Sequence, residues 1–195
     1  MKVLGCTGGI GSGKSYVSNI FHKMGVPLYC SDEMAKKLYD TDAHLREALL
    51  SLLGREIIEN GVIRRDVMAR KIFSSPKLLQ MTEDLVHPAV MRDFGQWKER
   101  QHGSDFVIME SAIILQKPLV RRAADKILLV TAPEELRIER VIRRDNTTRE
   151  AVLKRMGAQM ADEKMRAMAD FTIFAGENQA LLPQIVEVYD AMRIL

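Results

Sequence analysis

The sequence predicts an α/β fold built on a parallel sheet, and three observations carry that expectation. Apolar strand-like runs alternate with helical stretches along the 195 residues. Two runs, 105–110 (DFVIME) and 126–131 (KILLVT), are apolar on both faces, as central parallel strands are. A glycine-rich loop, GGIGSGKS from Gly8 to Ser15, stands between the first apolar run and the first helix.

The elements follow in order. Residues 2–7 read as the first strand and 16–24 as a helix, with a short second strand over 27–30. Ser31-Asp32-Glu33 then reads as a helix N-cap. A polar helical stretch over 33–53 breaks near Thr41-Asp42, and 54–61 is turn-like. From 66 to 102 the pattern is helical, with Met68, Ile72 and Phe73 on one side and new helices starting at Pro76 and Pro88. A charged helix over 133–145, a helical region over 148–168, a last strand over 170–174 and a closing helix over 179–193 complete the chain. No repeat or linker interrupts it. The expected organisation is one domain over 1–195, with a helical insert at about 60–103 and a helical lid at about 140–168.

Composition narrows the class. Hydrophobic residues are 47% and charged residues 28%, the balance of an ordinary globular protein. The net charge of +3 is mild and suits polyanionic small ligands. With one Trp and 6% aromatics, the basic-aromatic stripe of an RNA-binding sheet is missing. No apolar run approaches the roughly 20 residues that cross a bilayer, and no secretory h-region is present. Cys6 and Cys30 form neither a disulfide framework nor a zinc site. The expected location is cytoplasmic. The twelve Met residues read as core filler.

Gly8, Gly13, Lys14 and Ser15 occupy the fixed positions of G-x-x-x-x-G-K-[ST]. From Gly9, Ile10, Gly11 and Ser12 through Gly13 to Tyr16, such a loop turns backbone N–H groups toward phosphates, and the helix start adds its partial positive charge. Lys14 would reach the β- and γ-phosphates, and the Ser15 hydroxyl would ligate Mg²⁺. A nucleoside triphosphate is the ligand this chemistry fits.

Three further features bear on chemistry. Asp32, just past the second strand, suits either a base that accepts a proton from an attacking hydroxyl or a helix cap. Arg140 and Arg144, four apart on one helix, suit neutralisation of a moving phosphoryl group. The other reading is a solvated helix face balanced by Glu134, Glu135 and Glu139, and it is preferred for Arg137 and Arg143. Glu110 could hold Mg²⁺ through water. By pattern alone His87 reads more readily as a packed or capping residue than as a ligand. No N-K-x-D and no D-x-x-G occurs, which argues against a guanine-nucleotide switch.

In order and spacing, the chain resembles the dephospho-CoA kinase family over nearly its whole length. The segments are TGGIGSGKS at 7–15, Ser31-Asp32, Gly61-Val62-Ile63-Arg64-Arg65 leading to Ile72-Phe73, and Leu85-Val86-His87-Pro88. Arg140 to Asp145, Gln159, and Ala169-Asp170-Phe171-Thr172-Ile173 complete them. The resemblance implies a three-layer P-loop kinase fold with a helical acceptor-binding insert and a lid. It implies ATP-dependent phosphorylation of the ribose 3′-hydroxyl of dephospho-CoA, with Mg²⁺. Asp32 would then be the base or hydroxyl-positioning group. Lys14 and Ser15-bound Mg²⁺ would clamp ATP, and Arg140 and Arg144 would close over the transferring group. Arg65 and His87 would hold the acceptor.

This chain departs from the family pattern at Ala112 to Gln116, at Tyr16 and at Ala175. Two other readings are a P-loop kinase for a nucleoside monophosphate or polyol, and a nucleotide-regulated binding protein. No nucleic acid, membrane or obligate protein partner is expected, and the expected state is a monomer.

Overall fold

A computed structural model of the chain describes residues 1–194. β1 (Lys2–Thr7) leads through the glycine loop to α1 (Lys14–Lys23) and β2 (Leu28–Cys30). Four helices follow: α2 (Ser31–Thr41), α3 (Ala43–Leu53), α4 (Arg65–Phe73) and α5 (Pro76–Glu99). Between α3 and α4 lie a 3₁₀ turn (Arg55–Ile57) and the two-residue strands β3 (Ile58–Glu59) and β4 (Val62–Ile63). The chain then forms β5 (Phe106–Glu110), α6 (Pro118–Arg121) and β6 (Lys126–Thr131). It ends with α7 (Glu134–Asp145), α8 (Arg149–Gly157), α9 (Asp162–Met168), β7 (Phe171–Phe174) and α10 (Leu181–Ile194). These elements fall into two compact units. One is Met1–Cys30 together with the chain from residue 101 onward, and the other is Ser31–Arg100.

The first unit is built on a five-stranded sheet in the order β2-β5-β1-β6-β7, with every pairing parallel. β5 and β6 flank the central β1, as their two-sided apolar character requires. On one face α1 contributes Val17 and Phe21, and α10 contributes Ile185, Val188 and Met192. They cover Leu4, Cys6, Ile108, Leu128 and Val130. Full burial of side chains this size contributes about 1.5–3 kcal/mol each. Burial also pushes the Cys6 thiol up to about 12, so it behaves as a small apolar residue. Both edges are the short strands β2 and β7, of three and four residues. Since all five strands run the same way, the loops after β1, β5, β6 and β7 gather at their carboxyl ends.

The second unit is mostly helical. Asp42 breaks the run between α2 and α3 and caps α3, accepting the Leu45 N–H at 3.0 Å. Ser75 caps α5, with Pro76 at its start. Three expectations are corrected here. Pro88 does not start a helix but lies within the 24-residue α5. It lacks the N–H that would bond the Asp84 carbonyl, yet the helix continues because Val86, Ala89, Val90 and Phe94 are buried on both sides of it. Phe73 is 75% exposed, since five positions from the buried Met68 it lies off that helix face. Ser31 is not a cap: α2 already includes it, so it is no longer the flanking residue a cap must be, and its buried hydroxyl has no hydrogen-bond partner.

The segment expected as a turn, 54–61, holds β3 and the tip of the β3–β4 hairpin, and β4 follows directly after it. Asn60 and Gly61 at that tip both have positive φ, 51° and 81°, the backbone that an Asn-Gly hairpin turn favours. Among the described residues, no helix is long and apolar enough to cross a membrane.

Candidate active site

The loop after β1 is shaped by its glycines. Gly11 and Gly13 have φ of 78° and 95°, a region that a Cβ strongly disfavours. Gly13 is the N-terminal flanking residue of α1, and no side chain caps that helix. No acidic residue sits in its first turn either. The free N–H groups and the positive end of the helix dipole are therefore left for an anion. Beside them is a cavity of about 140 Å³ lined by Gly11, Ser12, Gly13, Lys14, Arg140, Val141 and Arg144.

Glu110, the last residue of β5, stands in register with Cys6 of β1 and Cys30 of β2. This buried carboxylate accepts the Ser15 hydroxyl at 2.6 Å, and the Lys14 ammonium lies 4.0 Å from the same oxygen. The Cys30 thiol approaches its other oxygen at 3.7 Å. A hydroxyl and a carboxylate so close are hard oxygen donors, the kind Mg²⁺ takes while keeping several waters.

α7 supplies the arginines. Arg140 donates to the Ala175 carbonyl at 2.9 Å and lies 3.5 Å from the Gly11 carbonyl. Arg144 is more exposed and pairs with Asp145, which also takes Arg155. Those two guanidinium groups hold the Asp145 carboxyl down at about 2.

Arg137 overturns the expectation of a solvated face. It is 5% exposed, donates to the Ile10 carbonyl at 3.0 Å and pairs with Asp162 at 2.6 Å. α7 packs inward through Ile138 and Val141, and Arg137, next to Ile138 and one turn before Val141, is drawn in with them. The only hint in the sequence was a surplus of glycine. A Cβ on Gly9 would overlap the Arg137 guanidinium, and one on Gly11 would overlap its backbone carbonyl.

A larger cavity of about 490 Å³ adjoins Arg140 and is lined by Leu136, Glu139, Arg143 and Glu177. Asn178, Phe174 and Gly176 border a neighbouring one. Ala175 is buried against Thr131, to whose carbonyl it donates at 2.7 Å. Tyr16 and Gln116 point outward.

In the helical unit, Asp32 lies in the first turn of α2 with an exposed side chain. Arg65, the first residue of α4, reaches Asp40 at 3.6 Å and the Lys36 carbonyl at 3.3 Å. Asp32 and Arg65 both act electrostatically on Tyr39, whose hydroxyl is raised mainly by burial, with Arg65 opposing and Asp32 adding. Sequence reasoning did not single out Tyr39. His87 lies half-buried within α5, directly before Pro88.

A parallel sheet, a glycine loop ending in Lys14-Ser15 and a helix presenting arginines to that loop define the P-loop kinase class. Comparison with known proteins goes further. The model of the dephospho-CoA kinase family matches residues 2–181. A dephospho-CoA kinase of Porphyromonas gingivalis is 40% identical over 99% of this chain and 95% of its own length. A crystal structure of a Thermus thermophilus protein overlays with a TM-score of 0.81 at 31% identity, covering 97% of this chain and 95% of that one. The dephospho-CoA kinase of Campylobacter jejuni shares the fold at a TM-score of 0.70 and 22% identity, over 100% and 98% of the two chains. The chain belongs to the dephospho-CoA kinase family.

Proposed function

We propose that this chain catalyses the ATP-dependent phosphorylation of dephospho-CoA, the final step of coenzyme A synthesis, with the phosphate loop as the donor site. The observation that carries the reading is the Lys14–Ser15–Glu110 cluster at the head of α1, in a chain of this family. The loop from Gly9 to Tyr16 binds the triphosphate through the helix end and through those backbone N–H groups that are not bonded within the protein, as those of Ile10 and Ser12 are. Lys14 neutralises charge on the β- and γ-phosphates. Ser15 and Glu110 would hold Mg²⁺, which when bound offsets the negative charge of the triphosphate.

Arg140 and Arg144 face the same cavity and stabilise the charge that spreads over the transferring group. Arg144 must leave Asp145 to do so, which makes 140–168 a candidate lid. Asp32 accepts the proton from the ribose 3′-hydroxyl or fixes that hydroxyl in line. Arg65 meets the acceptor's anionic phosphates, and His87 belongs to the helical segment, about 60–103, that binds the acceptor. The enzyme works as a cytoplasmic monomer.

The test is ADP release with ATP and Mg²⁺, adding dephospho-CoA, AMP or no acceptor in parallel, with the product identified by mass. Turnover with dephospho-CoA alone, giving coenzyme A, is the expected result. Folded, ATP-binding protein that ignores dephospho-CoA would overturn the acceptor assignment and point to the change at Gln116.

A further inference from the structure

We infer that Arg137 and Gln159 are positioning residues for the phosphate loop, which takes its shape from the segment that also carries Arg140 and Arg144. The inference rests on the reading that Gly8–Ser15 holds the ATP phosphates. Its centre is Ile10, at the crown of the loop, which is held at three points. The Ile10 N–H donates to Gln159 Oε1 at 2.8 Å. The Ile10 carbonyl accepts from Arg137 Nε at 3.0 Å. The Ile10 side chain packs on Ile138, Val141 and Val152, in a small core between α7 and α8.

The far end of Arg137 is anchored as well. Its Nη1 meets Asp162 at 2.6 Å, and Asp162 lies 3.4 Å from the Thr131 hydroxyl at the end of β6. A single guanidinium thus joins the loop, the start of α9 and the sheet. Its side chain is 6% exposed, so little water can stand in for any of these bonds. The fit leaves no slack, because Gly9 and Gly11 have no room for a Cβ against Arg137. Residues 137, 140 and 144 recur at i, i+3 and i+7 on one helix face. A shift of α7 that moves Arg140 and Arg144 must therefore also move Ile10. Movement of the arginine-bearing segment is thereby coupled to the shape of the loop.

An arginine that only filled space would affect stability and leave the two substrates equally well used. The test uses Arg137→Met and Gln159→Met in the full-length enzyme, with Lys14→Ala alongside. Thermal unfolding, kcat, and KM for ATP and for dephospho-CoA are measured on each. For Gln159→Met, half-exposed and mild, KM for ATP should rise roughly tenfold with KM for dephospho-CoA unchanged. For Arg137→Met, kcat/KM for ATP should fall about a hundredfold, as a misplaced site does.

Folded Gln159→Met with unchanged ATP kinetics, or with equal losses toward both substrates, overturns the inference. If Arg137→Met does not fold, Gln159→Met decides alone. Wild-type ATP use by Lys14→Ala would instead remove the phosphate-loop reading, and this inference with it.

Discussion

Arg137 and Arg64 carry the same guanidinium and are held in opposite ways. Arg137 is buried, reaches across the fold to Ile10 and Asp162, and fixes backbone around it. Arg64, in the helical unit, lies exposed between Asp66 and Glu59, partners two and five residues away in sequence. The same contrast separates the functional candidates. Glu110 is buried against Ser15 and Lys14, whereas Asp32 and Arg65 face solvent. Exposed ion pairs contribute about 0–1 kcal/mol and rearrange easily. In the phosphate-loop region charge is part of the framework. In the helical unit it stays available to an incoming ligand.

The largest expected effect tests that availability. Asp32→Ala should leave ATP affinity nearly intact while lowering kcat by roughly 10²–10⁴-fold, the range for loss of general base assistance. An unchanged kcat would remove Asp32 from the mechanism and leave the helical unit without a catalytic group. Next comes the buried side of the contrast. Glu110→Gln keeps the shape but removes the charge, and should lower activity about 10–100-fold, partly restored by raised Mg²⁺. Failure of Mg²⁺ titration to recover any activity would separate Glu110 from the metal.

A smaller effect belongs to local structure. Asp42→Ala deletes the α3 cap and should cost about 1 kcal/mol, read as a lowered Tm with kinetics unchanged. The smallest effect is in acid. Asp66 and Asp145 are both held at about 2 against an ordinary 3.8, the first chiefly by Arg64 and the second by Arg144 and Arg155. A depressed folded-state pKa means that their contribution is present above pH 3.8 and is lost as the pH falls through about 2. Both groups are exposed, so the slope of stability against pH should be shallow and should flatten in high salt. A steep, salt-insensitive slope would show that buried groups control acid unfolding.

The comparison also explains what could be read from sequence. β1, β5 and β6 declared themselves because strands buried on both faces must be continuously apolar, and the loop because phosphate binding fixes its residue types. Lys14 and Ser15 were legible for the same reason. Arg137 was not. Its bonds reach Ile10 and Asp162, which lie 127 and 25 residues from it in the chain and meet it only after folding. Periodicity assigns a charged residue on a charged helix to the surface, and three-dimensional packing reversed that assignment. Pro88 was misplaced by the opposite error, a strong local rule overridden by burial on both sides of it. The β3–β4 hairpin was within reach, since Asn60-Gly61 is its signature, but two-residue strands leave almost no alternation to detect.

The sheet edges bear on how the protein behaves when crowded. A parallel sheet is slow to assemble, because its neighbouring strands are far apart in sequence. During that delay, open strand borders can recruit other chains. Here both borders are the shortest strands in the sheet, three and four residues, while the long apolar strands lie inside. Little ladder is left for a neighbouring molecule to extend. Refolding at high protein concentration should therefore be limited by how quickly β5, β1 and β6 find one another, and intermolecular strand addition should end once they have.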